Sequence, residues 1–246
     1  MQKMQTSSKA KRLGGIPVSR GFLLVELLIG LVIVALVMLG SAAIMGAVAE
    51  GWNDQDVTRS TQLQANQTYI RVQNAMQGAK YVGYSNTGSV DGGTTPGSIF
   101  FWQNDNFGGV EASDPCIGEM ALIQFEPATN TLWLYQCLPK SQMTNAQQTQ
   151  AAQQWTLSQI NQSATATEFT QLYSFVQKKA LGGPGSQPND GTRLAVQGFW
   201  VSVHSLSSTS ELPVIEYAIG FARTSDGANL TLYNSTTVRG PTTQPE

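Results

Sequence analysis

The sequence predicts an α+β fold, a long amino-terminal helix whose first half spans a membrane and which packs on a mainly antiparallel β-sheet domain. Residues 27–49 are an uninterrupted run of 23 uncharged and mostly apolar side chains, and about 20 such residues cross the hydrocarbon core of a bilayer as a helix. No proline falls between Val18 and Thr95, so nothing strong breaks that helix before the Gly78 region. Beyond residue 97, short runs of aromatic and β-branched residues alternate with Asn, Gly and Pro turns, the pattern of strands joined by tight connections.

The helix is expected from Phe22 to about Gln77, roughly 84 Å at 1.5 Å per residue. Its polar continuation, residues 50–78, keeps two apolar stripes, Ala65, Tyr69, Val72 and Met76 on one face and Trp52, Leu63 and Ile70 on another. Two faces imply two neighbours: the domain's own sheet and a second packing partner, with burial of both faces inside the domain as the alternative. Residues 79–246 form the sheet domain. Strands are expected at 80–84, 98–103, 119–126 and 131–137, then at 193–206, 212–223 and 229–238, and the two blocks are expected to share one antiparallel sheet.

Between the blocks, residues 140–167 or so form an insertion rich in Gln, Asn, Thr and Ala, of low complexity apart from Trp155, Leu157 and Ile160, that reads as helix or loop. A clearer helix follows. Thr165 and Glu168 fit a capping box, Phe169, Leu172, Tyr173 and Val176 form its apolar stripe, and Gly182, Gly183 and Pro184 end it. The segment 240–246 has nothing to bury and is expected to fray.

Charge is distributed unevenly. Residues 1–21 hold Lys3, Lys9, Lys11, Arg12 and Arg20 and no acid; taking those five from the 14 basic residues of the chain leaves nine against 16 acidic ones, a formal −7. Positive residues stay on the cytoplasmic side of a membrane, which places the carboxy-terminal domain outside it. An acidic domain lacks the basic stripe of a nucleic-acid binder, so no nucleic-acid partner is expected.

The apolar run is headed by Gly21, Phe22 and Glu26 behind the basic leader. A carboxylate inside a membrane costs about 2.5 to 3.5 kcal/mol, which asks for a partner. This combination resembles the prepilin signature of the type IV pilin and type II secretion pseudopilin family, and the order and length of the later elements resemble its large minor pilins of the W type and J-type minor pseudopilins. The resemblance implies a pilin-like fold and cleavage by prepilin peptidase between Gly21 and Phe22, with N-methylation of the new terminus. Residues 1–21 are then a leader, 22–49 a transmembrane and assembly helix and 50–78 its periplasmic continuation.

Glu26 lies one helical turn from the Phe22 ammonium, about 6 Å along the axis, and opposite charges offset part of each other's burial cost. The pair can close within a subunit or between neighbours; by resemblance, the glutamate meets a neighbour's terminus during assembly. The implied location is the bacterial inner membrane, as a single pass with a cytoplasmic amino terminus, and then a filament. The implied partners are the peptidase, the inner membrane and other pilin or pseudopilin subunits.

Two other readings explain less. A signal peptide cut after Ala47, Val48 and Ala49 would need an apolar segment of roughly 7 to 15 residues, shorter than the 19 uncharged residues of 27–45. A plain single-pass anchor, carrying an extracytoplasmic ligand-binding module, leaves Glu26 without a role.

Cys116 and Cys137 lie in the exported part, where a disulfide is permitted. A hairpin across residues 127–130 sets Cys137 opposite Met120, a few residues from Cys116, so the two are expected to pair, with two buried thiols as the alternative. No enzyme is expected. His204 is the one histidine and reads as a surface residue, with no acid or second ligand beside it on its strand face; a triad or zinc site needs more groups than that. Asn104, Asp105, Asn106, Glu111 and Asp114 form an oxygen-rich loop, but Phe107 occupies a position where a calcium loop asks for a ligand. A solvated acidic loop is the preferred reading, and no cofactor or metal is expected.

Overall fold

The computed structural model describes residues 24–77, 79–90, 96–103, 114–184, 194–204, 214–223 and 227–237. The chain divides into two compact units, Met1–Asp54 and Gln55–Glu246.

Helix α1 is one element over Leu24–Gln77. In the first unit none of its described side chains is buried, from Leu24 through Met45 and on to Trp52. In the second unit it becomes one-sided. Ala65, Val72 and Met76 are fully buried, with Tyr69 packed beside them, while Leu63 and Ile70 on the other face are about half exposed. The expected stripe is therefore the one that meets the sheet, and the second stripe stays outside the domain core.

Two sheets make up the rest of the second unit. The first orders β1 (Tyr81–Asn86), β2 (Ser98–Trp102), β3 (Met120–Glu126), β4 (Thr131–Cys137) and β5 (Val176–Gly182), all antiparallel; the second orders β6 (Leu194–His204), β7 (Val214–Arg223) and β8 (Asn229–Thr237), also antiparallel. The expectation of one shared sheet is thus corrected. The physical reason lies in the alternation of side chains: β6 and β7 turn Val196, Phe199, Val201, Ile215, Tyr217, Ile219 and Phe221 toward Ile99, Phe101, Ile123 and Leu134 of the first sheet, so the two blocks bury their apolar faces against each other rather than edge to edge. The α1 stripe joins that same core. Tyr69 and Tyr217 stack with ring centroids 6.2 Å apart, and Asn234 Nδ2 donates to the Tyr217 hydroxyl at 2.9 Å.

The opposite face of the five-stranded sheet carries a second core. Period-two alternation sends Phe100, Trp102, Met120 and Leu122 there, and the insertion covers them. It is helical: a 3-10 turn (Lys140–Gln142), then α2 (Asn145–Ala151), α3 (Leu157–Ile160) and α4 (Ser163–Leu172). Trp155, Ile160 and Phe169 pin these segments down, with Phe100 and Phe169 5.3 Å apart between ring centroids. Both α2 and α3 open with reciprocal caps. Gln147 N donates to Thr144 Oγ1 while Thr144 N donates to Gln147 Oε1, and Thr156 and Gln159 repeat the arrangement.

The expected helix through residue 181 is also corrected. It starts two residues before Thr165, which is buried inside α4 rather than capping it, and stops at Leu172. Val176 already belongs to β5, where it pairs with Cys137. The open edge of β4 satisfies the backbone of 176–182 and outweighs their helical stripe. Leu172 is 70% exposed.

Loop 87–90 lies on the outer face of β6 and β7. Gly198 and Gly220 face each other across that pair, and a Cβ at either would collide with the carbonyl oxygen of Ser89 or Val90. Val201 N donates to Thr87 O at 2.9 Å. Two glycines side by side are what let the loop lie flat on the sheet.

Candidate functional site

The segment expected to act is the head of α1. Gly21 and Phe22 lie outside the described residues. Glu26 is in the first helical turn and exposed. From Leu27 to Ala49 no charged residue follows, and the helix is long and apolar enough to cross a membrane, with none of its apolar window buried. Leu24, Leu31, Leu36 and Leu39 are each more than 60% exposed. An apolar surface of this extent in water is a marker of a membrane or a protein partner. The described residues of this unit are α1 alone.

The second unit is fixed to α1 by polar contacts beyond the core. Arg71 Nη1 donates to Leu181 O at 3.2 Å and Gln103 Nε2 to Ala75 O at 3.3 Å. Gly182 lies so close to α1 that a Cβ there would strike the Thr68 side chain. These contacts hold the last four turns of the helix on the sheet, and with them the direction of its other face.

The expected disulfide is not formed. Cys116 and Cys137 are thiols. The hairpin register is as expected, with Ala121 opposite Gln136, but the 3-10 turn Ile117–Glu119 carries the chain away before Cys116, which bridges to Gln154 instead. Its thiol donates to Ala152 O at 3.7 Å, while the Cys137 thiol donates to Ile117 O at 3.3 Å. Burial pushes the Cys137 thiol up to about 12, so it is a neutral, unreactive group at physiological pH.

Glu119 was not singled out by the sequence. It is 4% exposed, and its Oε2 accepts from Trp102 Nε1 and from Cys116 N, both at 3.1 Å. It closes the 3-10 turn and joins it to β2. A second unforeseen group is at the surface. Glu126 Oε2 accepts from Thr129 Oγ1 at 2.7 Å, Trp133 Nε1 at 2.9 Å and Lys178 Nζ at 3.1 Å, and Lys178 sits 4.1 Å over the Trp133 ring.

His204 is exposed, as expected, but an acid does lie beside it. Glu216 reaches across from β7, with Oε2 3.1 Å from His204 Nε2, and Ser202 Oγ is 3.3 Å from the same nitrogen. Sequence reading on one strand misses a neighbour on the next. The trio is not a relay, because a triad places the acid and the hydroxyl on opposite ring nitrogens, and here both meet Nε2. Among the described residues no three His, Cys, Asp or Glu side chains form a metal cluster. Of the oxygen-rich loop only Asp114 is among them.

Comparison with protein-family models, with curated proteins and with solved structures found no match.

Proposed function

We propose that the chain is a minor pilin or pseudopilin, a structural subunit that is processed by prepilin peptidase, waits in the inner membrane and then joins or primes a type IV pilus or type II secretion pseudopilus. The observation that carries this reading is the exposed, uncharged helix of residues 27–49 headed by Glu26 and continuous with a helix whose far end is built into a β domain. A plain anchor needs only the apolar run. A subunit that packs helix against helix needs in addition a charge to register it, and Glu26 suits that need.

The half-exposed Leu63 and Ile70 supply the second packing face that the two stripes imply. In a filament they would meet a neighbouring subunit, while Ala65, Val72 and Met76 hold the domain. Mass spectrometry of the amino terminus is the direct test. In cells with a working prepilin peptidase the mature chain should begin at N-methylated Phe22; an intact leader, or a start after Ala49, defeats the proposal.

A further inference from the structure

Between α4 and strands β1 to β4, the second face of the five-stranded sheet is left open as a groove of about 400 Å³. That is the size of a small-molecule site, for which about 300 to 1,000 Å³ is typical. Its floor is apolar, with Leu122 and Ala166 both buried. Tyr84 and Tyr135 line it with aromatic rings, and apart from Pro96 the remaining side chains are amide and hydroxyl, with no charged side chain in the lining. Beside Tyr135, Lys178 is already paired: its Nζ lies 5.6 Å from the Tyr135 ring and 3.1 Å from Glu126 Oε2.

This lining discriminates between ligand classes. A phosphate, carboxylate or ammonium would lose its hydration and gain no counter-charge. A purely apolar ligand would strip water from the hydroxyls and amides of the rim and leave them unpaired. A neutral polyhydroxy ligand satisfies both parts, its hydroxyls meeting the rim and its C–H faces lying on the tyrosine rings.

The hydrogen bonds inside the protein add polarity to the match. Thr167 Oγ1 donates to Ser163 O at 3.1 Å and Thr170 Oγ1 to Thr167 O at 3.0 Å, so both hydroxyl protons are committed and their oxygens are left as acceptors. Asn86 Nδ2 donates to Pro96 O at 3.0 Å, which leaves its Oδ1 in the same role. Sugar hydroxyls bring donors to such groups, and the Gln124 and Gln171 amides bring donors in return.

We propose that this groove binds a short stretch of neutral oligosaccharide. The assignment goes beyond the filament reading and stands or falls separately from it. Saturation-transfer NMR on the full-length chain, held in a detergent without a sugar headgroup, tests it with maltotriose, cellotriose and N-acetylated chitotriose, and with tri-galacturonate as the charged counterpart. At least one neutral trisaccharide should show saturable transfer from tyrosine ring protons. Thr167→Lys, which puts a long charged side chain on the exposed rim, and Gln171→Ala, on the same helix, should each weaken that binding, the first by about tenfold or more. Far-UV circular dichroism of each variant checks that the fold is kept. The proposal is overturned if no neutral trisaccharide gives a saturable signal, if tri-galacturonate binds as tightly as the neutral probes, or if both folded variants bind like the wild type.

Discussion

Glu119 is buried, yet its removal matters for what it leaves behind: Trp102 Nε1 and Cys116 N would both lose the oxygen they donate to. Each buried donor that loses this acceptor costs about 1 to 3 kcal/mol, so Glu119→Ala should lower stability in urea unfolding by about 2 to 6 kcal/mol, and Glu119→Gln, which keeps an acceptor, by clearly less. Glu126 is set differently. The Thr129 hydroxyl first, and then Lys178, hold its carboxyl below the ordinary 4.5. A lowered value in the folded state means a stabilisation that is present above the unfolded pKa and lost as pH falls through the folded one. With its side chain 36% exposed, the effect is a few tenths of a kcal/mol. Glu126→Gln should therefore flatten the stability curve only on its acid limb, below about pH 4.5, as read from urea midpoints against pH. On the proposed filament reading, Glu26 acts between molecules. Neutralising it should ease membrane insertion slightly, whereas a packed neighbour's ammonium left without its counter-charge costs about 3 to 5 kcal/mol. Glu26→Gln should thus keep wild-type membrane level and processed size but fall in sheared filaments, with Val25→Ala as the packing control; equal recovery of the Gln variant would return Glu26 to an incidental role. Glu26 was legible in the sequence because its oddity is local. Glu119 was not, since one of its partners is 17 residues away.

At the scale of elements, strands with their own turn chemistry could be read almost to the residue. Thr131–Cys137 is as expected, because Pro127 and Asn130 bound the turn before it and Asn130 takes the positive φ of 51° that the hairpin asks for. The segment 173–182 was misread because its spacing fits a helix and only the open edge of β4, which no local pattern reveals, makes it a strand. The insertion hid its helices behind its composition, although Thr144 with Gln147 and Thr156 with Gln159 are capping boxes that can be found by spacing alone. The glycine pair of β6 and β7 carries a prediction at this scale. Gly220→Ala puts a methyl into the carbonyl of Val90, which should cost about 1 to 3 kcal/mol and raise amide exchange at Val201, whose partner is Thr87 of the same loop. An unchanged melting curve and exchange rate would mean that the loop is not held there.

For the whole molecule, the sequence contained the strands but not their division into two sheets, because which apolar faces meet is decided by α1 and both sheets at once. The buried residues contributed by α1 begin at Ala65, so a chain starting at Gln55 keeps every buried side chain of the second unit. It should fold alone, stay in solution without detergent, and melt within a few degrees of the full-length protein; a collapsed or aggregating fragment would show that residues before 55 support the domain. The helical insertion has a further consequence. No residue from Ser141 to Thr167 carries a charge, and α2 and α3 begin on threonine and glutamine caps rather than on ion pairs. Ionic strength screens charges and leaves neutral caps untouched, and none of these groups titrates between acid and alkaline pH. The caps that start α2 and α3 over the second core are therefore indifferent to the salinity and acidity of their surroundings, a tolerance that salt-bridged helix ends would not provide.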